Sequence, residues 1–135
     1  MNSANHLDPT YKYVFFETQS IVAAAAQNAT NTIQPGVKQV IVTGVTADAN
    51  DFVVLPSMAK VPNGFQLVIE ASAGANFELR TPASSNEKIN NEDSDGTKEY
   101  LVTDTDHLLC VKKSTGWVVQ SITNLGAVRT AVVPD

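Results

Sequence analysis

The strongest constraint on the fold is a succession of short β-prone runs that begins after Ile33. These runs are rich in Val, Ile, Phe, Leu and Thr, and they read VKQVIVTGV, DFVVL, GFQLVIEA, NFELRT, KEYLVT, HLLCVKK, GWVVQSIT and AVRTAVV. Turn-forming segments such as PNG, PASSN, KSTG and NLG separate them, and no long helical period intervenes. The pattern predicts an all-β fold, an antiparallel β-sandwich or barrel. It argues against a parallel sheet, because it has no βαβ rhythm.

Alternation inside these runs predicts part of the core. From Phe65 onwards every second residue of GFQLVIEA is apolar, so one side of this strand is mostly apolar. A type I or II turn is expected at Pro62-Asn63-Gly64, just before it. Tyr100 and Val102, together with Leu109 and Val111, are expected in the layer that faces this strand across the core. The residues predicted to form the core are Phe65, Leu67, Ile69, Leu109, Val111 and Trp117.

The amino-terminal part of the chain has a different character. Residues 1–10 are polar and end in Asp-Pro, which favours an extended segment. The run YKYVFF that follows is rich in aromatic and β-branched residues and needs a strand to pair with. We therefore predict an arm for attachment and oligomerisation at residues 1–32 and a β-sandwich or barrel domain at residues 33–135.

The run QSIVAAAAQNATNT inside this arm allows two interpretations. Its four consecutive alanines favour a helix, whereas its β-branched, Asn and Thr neighbours oppose one. Both a short helix and an extended, closely packed segment are considered, and the extended form is favoured. The small side chains from Ala23 to Ala26 would also allow two subunits to approach closely.

The charge of the chain excludes several classes of partner. Its formal net charge is −5, so a nucleic-acid backbone or an anionic membrane would be repelled. The adjacent Lys112 and Lys113 are interpreted as the solvent-facing end of a strand. The amino terminus does not resemble a signal peptide, and no apolar stretch is long enough to span a bilayer. We expect neither a nucleic-acid partner nor a membrane.

Candidate catalytic residues are few. Cys110 is the only cysteine, and it is interpreted as a small buried hydrophobic residue. A nucleophilic cysteine would need a nearby histidine, and His107 lies three residues away, on the opposite face of a strand. His107 and His6 have no partners at zinc-site spacing. No cofactor and no enzymatic activity are predicted.

The segment NNEDSDG raises the question of a metal site. Asn91, Asp93 and Asp95 precede Gly96 at the spacing with which an EF-hand calcium loop begins. Val102 occupies the position where that loop needs a bidentate glutamate, and the flanking runs are strand-like. The segment is therefore interpreted as a solvated hairpin loop, with a looser calcium site as the alternative. No metal ligand is assigned.

The order of parts over residues 37–123 resembles a known group of proteins. A Leu-Pro leads to a turn, and Gly64 opens a strand. A second strand ends at Thr81-Pro82, then Lys88-Ile89-Asn90 precedes a variable polar loop, and a last strand follows Gly116-Trp117. This order resembles small β-rich modules of tailed-bacteriophage virion proteins, notably head fibres and capsid decoration proteins.

The resemblance implies a structural virion protein on the capsid surface, a homotrimer that binds the major capsid protein through an extended terminal segment. The residues expected to bind that partner are Tyr11, Tyr13, Val14, Phe15 and Phe16. An extended segment can add main-chain hydrogen bonds to a neighbour's sheet edge, although it could equally close its own sheet. The alternative function is a carbohydrate- or receptor-binding module of a phage fibre or tail, with Trp117, Tyr100 or the loop at residues 90–96 as candidates.

Overall fold

A computed structural model describes residues 17–46, 50–72, 74, 76–83, 85–91, 100–102, 106–123 and 125–129. Within them the chain forms β-strands and one short 3-10 helix, at Met58–Lys60. The strands are β1 (Thr18–Ala23), β2 (Gln39–Val45), β3 (Phe52–Val54), β4 (Gln66–Ala71), β5 (Phe77–Arg80), β6 (Tyr100–Val102), β7 (His107–Lys112), β8 (Trp117–Ile122) and β9 (Val128–Arg129). The predicted all-β fold is confirmed.

The strands form two sheets that share one core. The larger sheet has the order β1-β2-β4-β7-β8-β9, and the smaller has the order β3-β5-β6. Val42, Ile69 and Leu108 of the larger sheet belong to the same buried cluster as Val53 and Leu79 of the smaller one. This is the arrangement of a sandwich. The larger sheet is not a closed barrel, because β1 and β9 lie at its two ends.

The sheets are mixed rather than antiparallel throughout, which differs from the sequence-based expectation. β1 pairs with β2, β2 with β4 and β3 with β5 in parallel, whereas the remaining strand pairs are antiparallel. Parallel neighbours need a crossover connection, which is usually a helix. Here a strand of the opposite sheet takes that place: the chain passes from β2 through β3 to β4, and from β3 through β4 to β5.

Most of the predicted core is confirmed. Phe65, Leu67 and Ile69 are buried, and so are Trp117 and Val102. The turn before β4 is present as predicted, since the Phe65 amide donates to the carbonyl of Pro62 at 3.1 Å. Gly64 in this turn has φ of 84°, a conformation that glycine adopts without steric cost.

The prediction that Leu109 and Val111 lie in the core is wrong. Both are half-buried on the outer face of β7, whereas Leu108 and Cys110 are fully buried on its inner face. The pairing of Leu67 with Cys110 across β4 and β7 fixes this choice. Because successive side chains of a strand alternate between faces, an error of one residue exchanges the two faces completely.

Residues 18–32, predicted as part of the arm, are instead packed into the β domain. β1 is extended and pairs with β2, so the extended interpretation of QSIVAAAAQNATNT is confirmed for its first part, as far as Ala23. Residues 25–31 form bends and turns, and the predicted alternative of a helix is not observed over residues 19–32. Ala23 and Ala24 are buried within this chain, and Ala24 bridges to Phe52 of β3. The predicted boundary after residue 32 falls inside a packed region, since the Ile33 amide donates to the carbonyl of Val54 at 2.9 Å.

Lys112 and Lys113 were both predicted to face solvent, and this prediction is wrong for Lys112. Lys113 is exposed, whereas Lys112 follows Leu108 and Cys110 on the inner face of β7 and is buried. Its Nζ donates to Oδ1 of Asn63 at 2.6 Å. This hydrogen bond gives the ammonium group a partner, which helps a lysine to occupy an inward-facing position.

Candidate functional site

β1 is an open edge of the larger sheet. Among the described residues its only strand partner is β2, and its sequence TQSIVA carries no charge and no proline. Charges and prolines are the usual devices that prevent an edge strand from pairing with another chain. A register shift between Ile21 and Val22 is the one irregularity in its pairing with β2. β1 is therefore a strand edge that can accept a further strand.

The residues predicted to bind a partner come just before β1 in the sequence. Tyr11, Tyr13, Val14, Phe15 and Phe16 lie outside the described residues, so their role stays a prediction. The described chain begins at Glu17, whose carbonyl accepts from the amides of Lys38 and Gln39 at 3.3 and 3.4 Å. These contacts fix the point at which the aromatic segment joins β1.

The outer face of the larger sheet carries an apolar patch. Val68 pairs with Leu109, and Val111 pairs with Val118, while Leu109 and Val111 are adjacent on the same face of β7. Val68 and Val118 are each 41% exposed, and the other two are half-buried. These four residues, here called the outer-face patch, form one continuous surface across three strands.

Around this patch the outer face is largely uncharged. Its other side chains on β2, β4 and β8 include Gln39, Gln66 and Gln120, all exposed. Glu70 and His107 are cross-strand neighbours at one end of β4 and β7. A shallow depression of about 220 Å³ lies in the face and is lined by Lys38, Gln66, Leu67, Val68 and Leu109. The face thus combines apolar and neutral polar groups with a recess that a partner's side chain can enter.

Sequence reasoning missed the outer-face patch because it assigned Leu109 and Val111 to the core. The available signal was that HLLCVKK and GWVVQSIT are apolar at consecutive positions rather than alternate ones. A strand with one solvated face normally alternates between apolar and polar residues. A run that is apolar on both faces indicates a second surface to be covered.

Two larger clefts also lie in the described part of the chain. The larger, of about 610 Å³, lies beside the 3-10 helix and is lined by residues that include Asn28, Gln34, Leu55, Ser57 and Lys60. The smaller, of about 420 Å³, is lined by Asn90, Asn91, Lys113, Thr115, Gly116, Trp117 and Val118. It brings together two of the elements predicted for recognition, the start of the loop at residues 90–96 and Trp117.

Trp117 contributes little surface to this cleft. It is 1% exposed, so its ring cannot serve as a platform on which a sugar stacks. Tyr100 lies in β6, away from the strands that form the cleft. Asn90 and Asn91 have φ of 53° and 72°, the left-handed conformations that asparagine tolerates in turns. Asp93, Asp95 and Gly96 lie outside the described residues, so the solvated loop and the calcium site both stay predictions.

Cys110 is placed as the sequence predicted. It is fully buried, and burial raises the pKa of its thiol well above the usual range because the thiolate would be desolvated. His107 is exposed on the opposite side of β7. A thiol that is held protonated and away from solvent packs as a small apolar group and does not act as a nucleophile.

Within the ranges given above, no three His, Cys, Asp or Glu side chains are grouped so that they could hold a metal ion. In the same ranges no helix is long and apolar enough to cross a membrane.

No family model matches this chain, and no curated protein matches it. The β1 edge, the outer face of the larger sheet and the clefts are the features of the described residues that bear on function.

Proposed function

We propose that this protein is a structural protein of a tailed-bacteriophage virion, which decorates or stabilises the capsid surface as a homotrimer and performs no catalysis. Its partner is the major capsid protein, and it resides on the virion surface. The observation that carries the proposal is the open, uncharged edge of β1, into which the aromatic segment at residues 11–16 leads.

The edge supports attachment by strand addition. A segment rich in aromatic and β-branched residues is well suited to an extended conformation, and it needs backbone partners to be stable. A strand that leaves an edge can pair with the edge of a neighbouring protein, and main-chain hydrogen bonds then provide the affinity. The side chains of Tyr11, Tyr13 and Phe15 are at alternate positions, so they would share one face of that added strand.

The charge of the chain is consistent with a protein partner. With a formal net charge of −5, it would not be drawn to packaged nucleic acid, and the neutral outer face suits contact with another protein surface. A protein that binds the assembled shell better than the free subunits stabilises the shell by mass action. Such a function needs a rigid scaffold and good surface complementarity rather than reactive groups.

The test is binding of the purified protein to capsids that lack it, measured by co-sedimentation over a range of concentrations. Saturable, stoichiometric binding is expected, together with a higher melting temperature of the shell. Deletion of residues 1–16 should weaken binding at least tenfold. Replacement of Tyr11, Tyr13, Phe15 and Phe16 by serine should have the same effect without shortening the chain.

A matched pair of charge variants tests the β1 edge itself. Ser20→Lys places a charge on β1, whereas Leu125→Lys places the same charge at a residue that is 91% exposed and outside the strands. The first should weaken capsid binding and the second should not, because a lysine on an edge strand opposes pairing. Absence of saturable binding by the full chain would refute the proposal.

The smaller cleft favours a second candidate function, recognition of a carbohydrate or host receptor by a module of a phage fibre or tail. The amide side chain of Asn91, with Lys113 and Thr115, supplies groups that hydrogen-bond sugar hydroxyls. A glycan-array signal that is lost in Thr115→Val, combined with no capsid binding, would establish this function in place of the first.

A further inference from the structure

We propose that the outer-face patch is covered by the aromatic segment of the same chain, residues 11–16, which crosses the larger sheet from β1 towards β8. The contact buries an apolar segment until the protein meets its partner. It stands independently of the proposed function, which adds only that capsid binding must release the segment.

The first argument is the place where the segment joins the sheet. One row of side chains crosses the outer face, and strand pairing aligns its members as Thr18, Gln39, Val68, Leu109 and Gln120. Thr18 Oγ1 donates to Gln39 Oε1 at 3.3 Å, which confirms that β1 shares this face with β2. The segment therefore joins the sheet at the end of a row that runs through the patch.

The second argument is reach. Val68 lies two strands from Thr18, or about 10 Å across the sheet, and Val118 on β8 lies four strands away, or about 19 Å. The segment has six residues, which span about 20 Å when extended. Residues 11–16 are thus long enough to cover the patch from one side to the other.

The sequence opposes a return of the segment along the open edge of β1. A hairpin needs a tight turn, and residues 11–17 contain no glycine, proline, asparagine or aspartate. The Glu17 carbonyl accepts from the amides of Lys38 and Gln39, so the residue before β1 is already held along β2. The inner face of the sheet is filled by the core that it shares with the smaller sheet. The outer face is the apolar surface that is left beside this point.

The side chains of the segment match those of the patch. In an extended segment Tyr11, Tyr13 and Phe15 share one face. Their rings can pack on Val68 and enter the depression of about 220 Å³ beside it. The exposed amide of Gln66 lines the same depression and can hydrogen-bond a phenolic hydroxyl. A face of valines and glutamines therefore suits a segment of phenylalanines and tyrosines.

Charge favours the chain's own segment over a second copy. Residues 1–16 contain one carboxylate, Asp8, and one lysine, Lys12, so they bring no net charge to the face. A second copy would bring a formal charge of −5 against −5. The segment is also tethered beside the patch, at an effective concentration on the order of millimolar, so a weak contact is enough to hold it.

Chymotrypsin tests the contact, because it cleaves after tyrosine and phenylalanine and the segment contains four of these residues. Cleavage of the full native chain within residues 11–16 is followed by mass spectrometry. A synthetic peptide of residues 8–19 gives the rate for the free segment. The wild-type protein should be cut at least tenfold more slowly than the peptide, since a protease needs an accessible segment.

Variants of the patch should release the segment. Val68→Lys combined with Val118→Lys should raise the cleavage rate at least tenfold, because charges are not readily buried beneath aromatic rings. Leu125→Lys is the matched control: it adds the same charge at a residue that is 91% exposed and outside the strands, and it should leave the rate unchanged. Val68→Thr combined with Val118→Thr keeps the β-branched shape, so it should fold as wild type and still be cut faster.

Three results would overturn the inference. They are wild-type cleavage at the peptide rate, a rate that the two lysines leave unchanged, and protection that increases with protein concentration, which would place the segment on another copy. Capsid binding is scored separately. The double lysine variant should bind capsids at least as tightly as wild type, and weaker binding would refute the link between release and attachment. A protected segment in a protein that does not bind capsids would refute the proposed function and leave this contact standing.

Discussion

Asn90 acts as a strand partner for Val119. Its side-chain Oδ1 accepts from the Val119 amide at 2.8 Å, and its Nδ2 donates to the Val119 carbonyl at 3.0 Å. The Asn90 amide in turn donates to the carbonyl of Trp117 at 2.8 Å. One asparagine thereby continues the hydrogen bonding of a parallel bridge between Ile89 and Trp117 and fixes the start of the polar loop against β8.

The first prediction follows from this relationship. Asn90→Ala should lower the free energy of unfolding by about 2–3 kcal/mol, because it removes two hydrogen bonds and places alanine at φ of 53°. Asn90→Gly removes the same hydrogen bonds without the backbone cost, so about 1–2 kcal/mol is expected. Urea unfolding of both variants checks this order. Equal losses would show that the left-handed conformation costs nothing at this position.

The second prediction concerns the close approach of Lys88 to Gly116. A Cβ atom on Gly116 would lie 2.8 Å from the Lys88 carbonyl oxygen, which also accepts from the Trp117 amide at 2.7 Å. Gly116→Ala should therefore destabilise the protein by about 1–3 kcal/mol, since backbone must move. Gly44→Ala is the control, because a Cβ atom there meets nothing within 4 Å. Thermal unfolding should separate the two, and a similar melting temperature for both would contradict the prediction.

The third prediction concerns the side chain of Asn31, which is fully buried between β1 and β3. Its Nδ2 donates to the carbonyls of Phe52 at 2.9 Å and Ala26 at 3.2 Å, and its Oδ1 accepts from the Asn28 amide at 2.8 Å. Asn31→Ala would leave these backbone groups without partners and should cost about 2–4 kcal/mol.

The control for Asn31 is Gln34→Ala, at an exposed position three residues along. This variant should change the free energy of unfolding by less than about 0.5 kcal/mol. Chemical denaturation of both variants provides the comparison. If Asn31→Ala were as stable as Gln34→Ala, the hydrogen bonds of the Asn31 side chain would not be what holds the segment after β1 against β3.

The fourth prediction is a loss of stability in alkali that depends on Cys110. Because burial raises the pKa of this thiol, the folded state keeps the proton at pH values where the unfolded chain has lost it. Stability from this group is therefore complete below about pH 8.5, the usual thiol pKa, and falls above it by up to about 1.4 kcal/mol per pH unit.

Urea unfolding between pH 7 and pH 10 tests whether stability falls with rising pH and whether the Cys110 thiol causes the fall. The wild type should lose stability more steeply than Cys110→Ala, which lacks the titrating group, while all other ionisable groups are common to both. Below pH 8 the variant should be the less stable protein, because it leaves space in the core. Parallel pH profiles would show that the thiol does not contribute.

The sequence predicted β4 better than β7 for a physical reason. In GFQLVIEA the apolar residues alternate with polar ones around Phe65, Leu67 and Ile69, so only one face can be buried. In HLLCVKK both faces are apolar up to Lys112, and the pattern cannot tell Leu108 from Leu109. The pairing of β7 with β4 decides which of the two leucines faces the core. A hydrogen bond from the Lys112 side chain to Asn63 then accommodates a lysine on the same inner face.

The β1 edge and the outer-face patch are also only partly visible in the sequence. The uncharged TQSIVA run was visible in the sequence, but its position at the edge of a sheet depends on which strands pair with it. The outer-face patch depends on Val68 and Val118 being brought beside β7, although they are separated from one another by 50 positions in the sequence. Neither surface can be found from local spacing alone.

By itself the sequence determined the all-β class, the turns and the burial of Cys110 and Trp117, because these depend on local propensity and on the side chain's own chemistry. Only the tertiary structure decided the parallel pairs, the incorporation of residues 18–32 into the sheet and the direction in which β7 faces. These features arise from contacts between residues far apart in the chain. Their free energy depends on which strands meet, and that is a property of the whole fold.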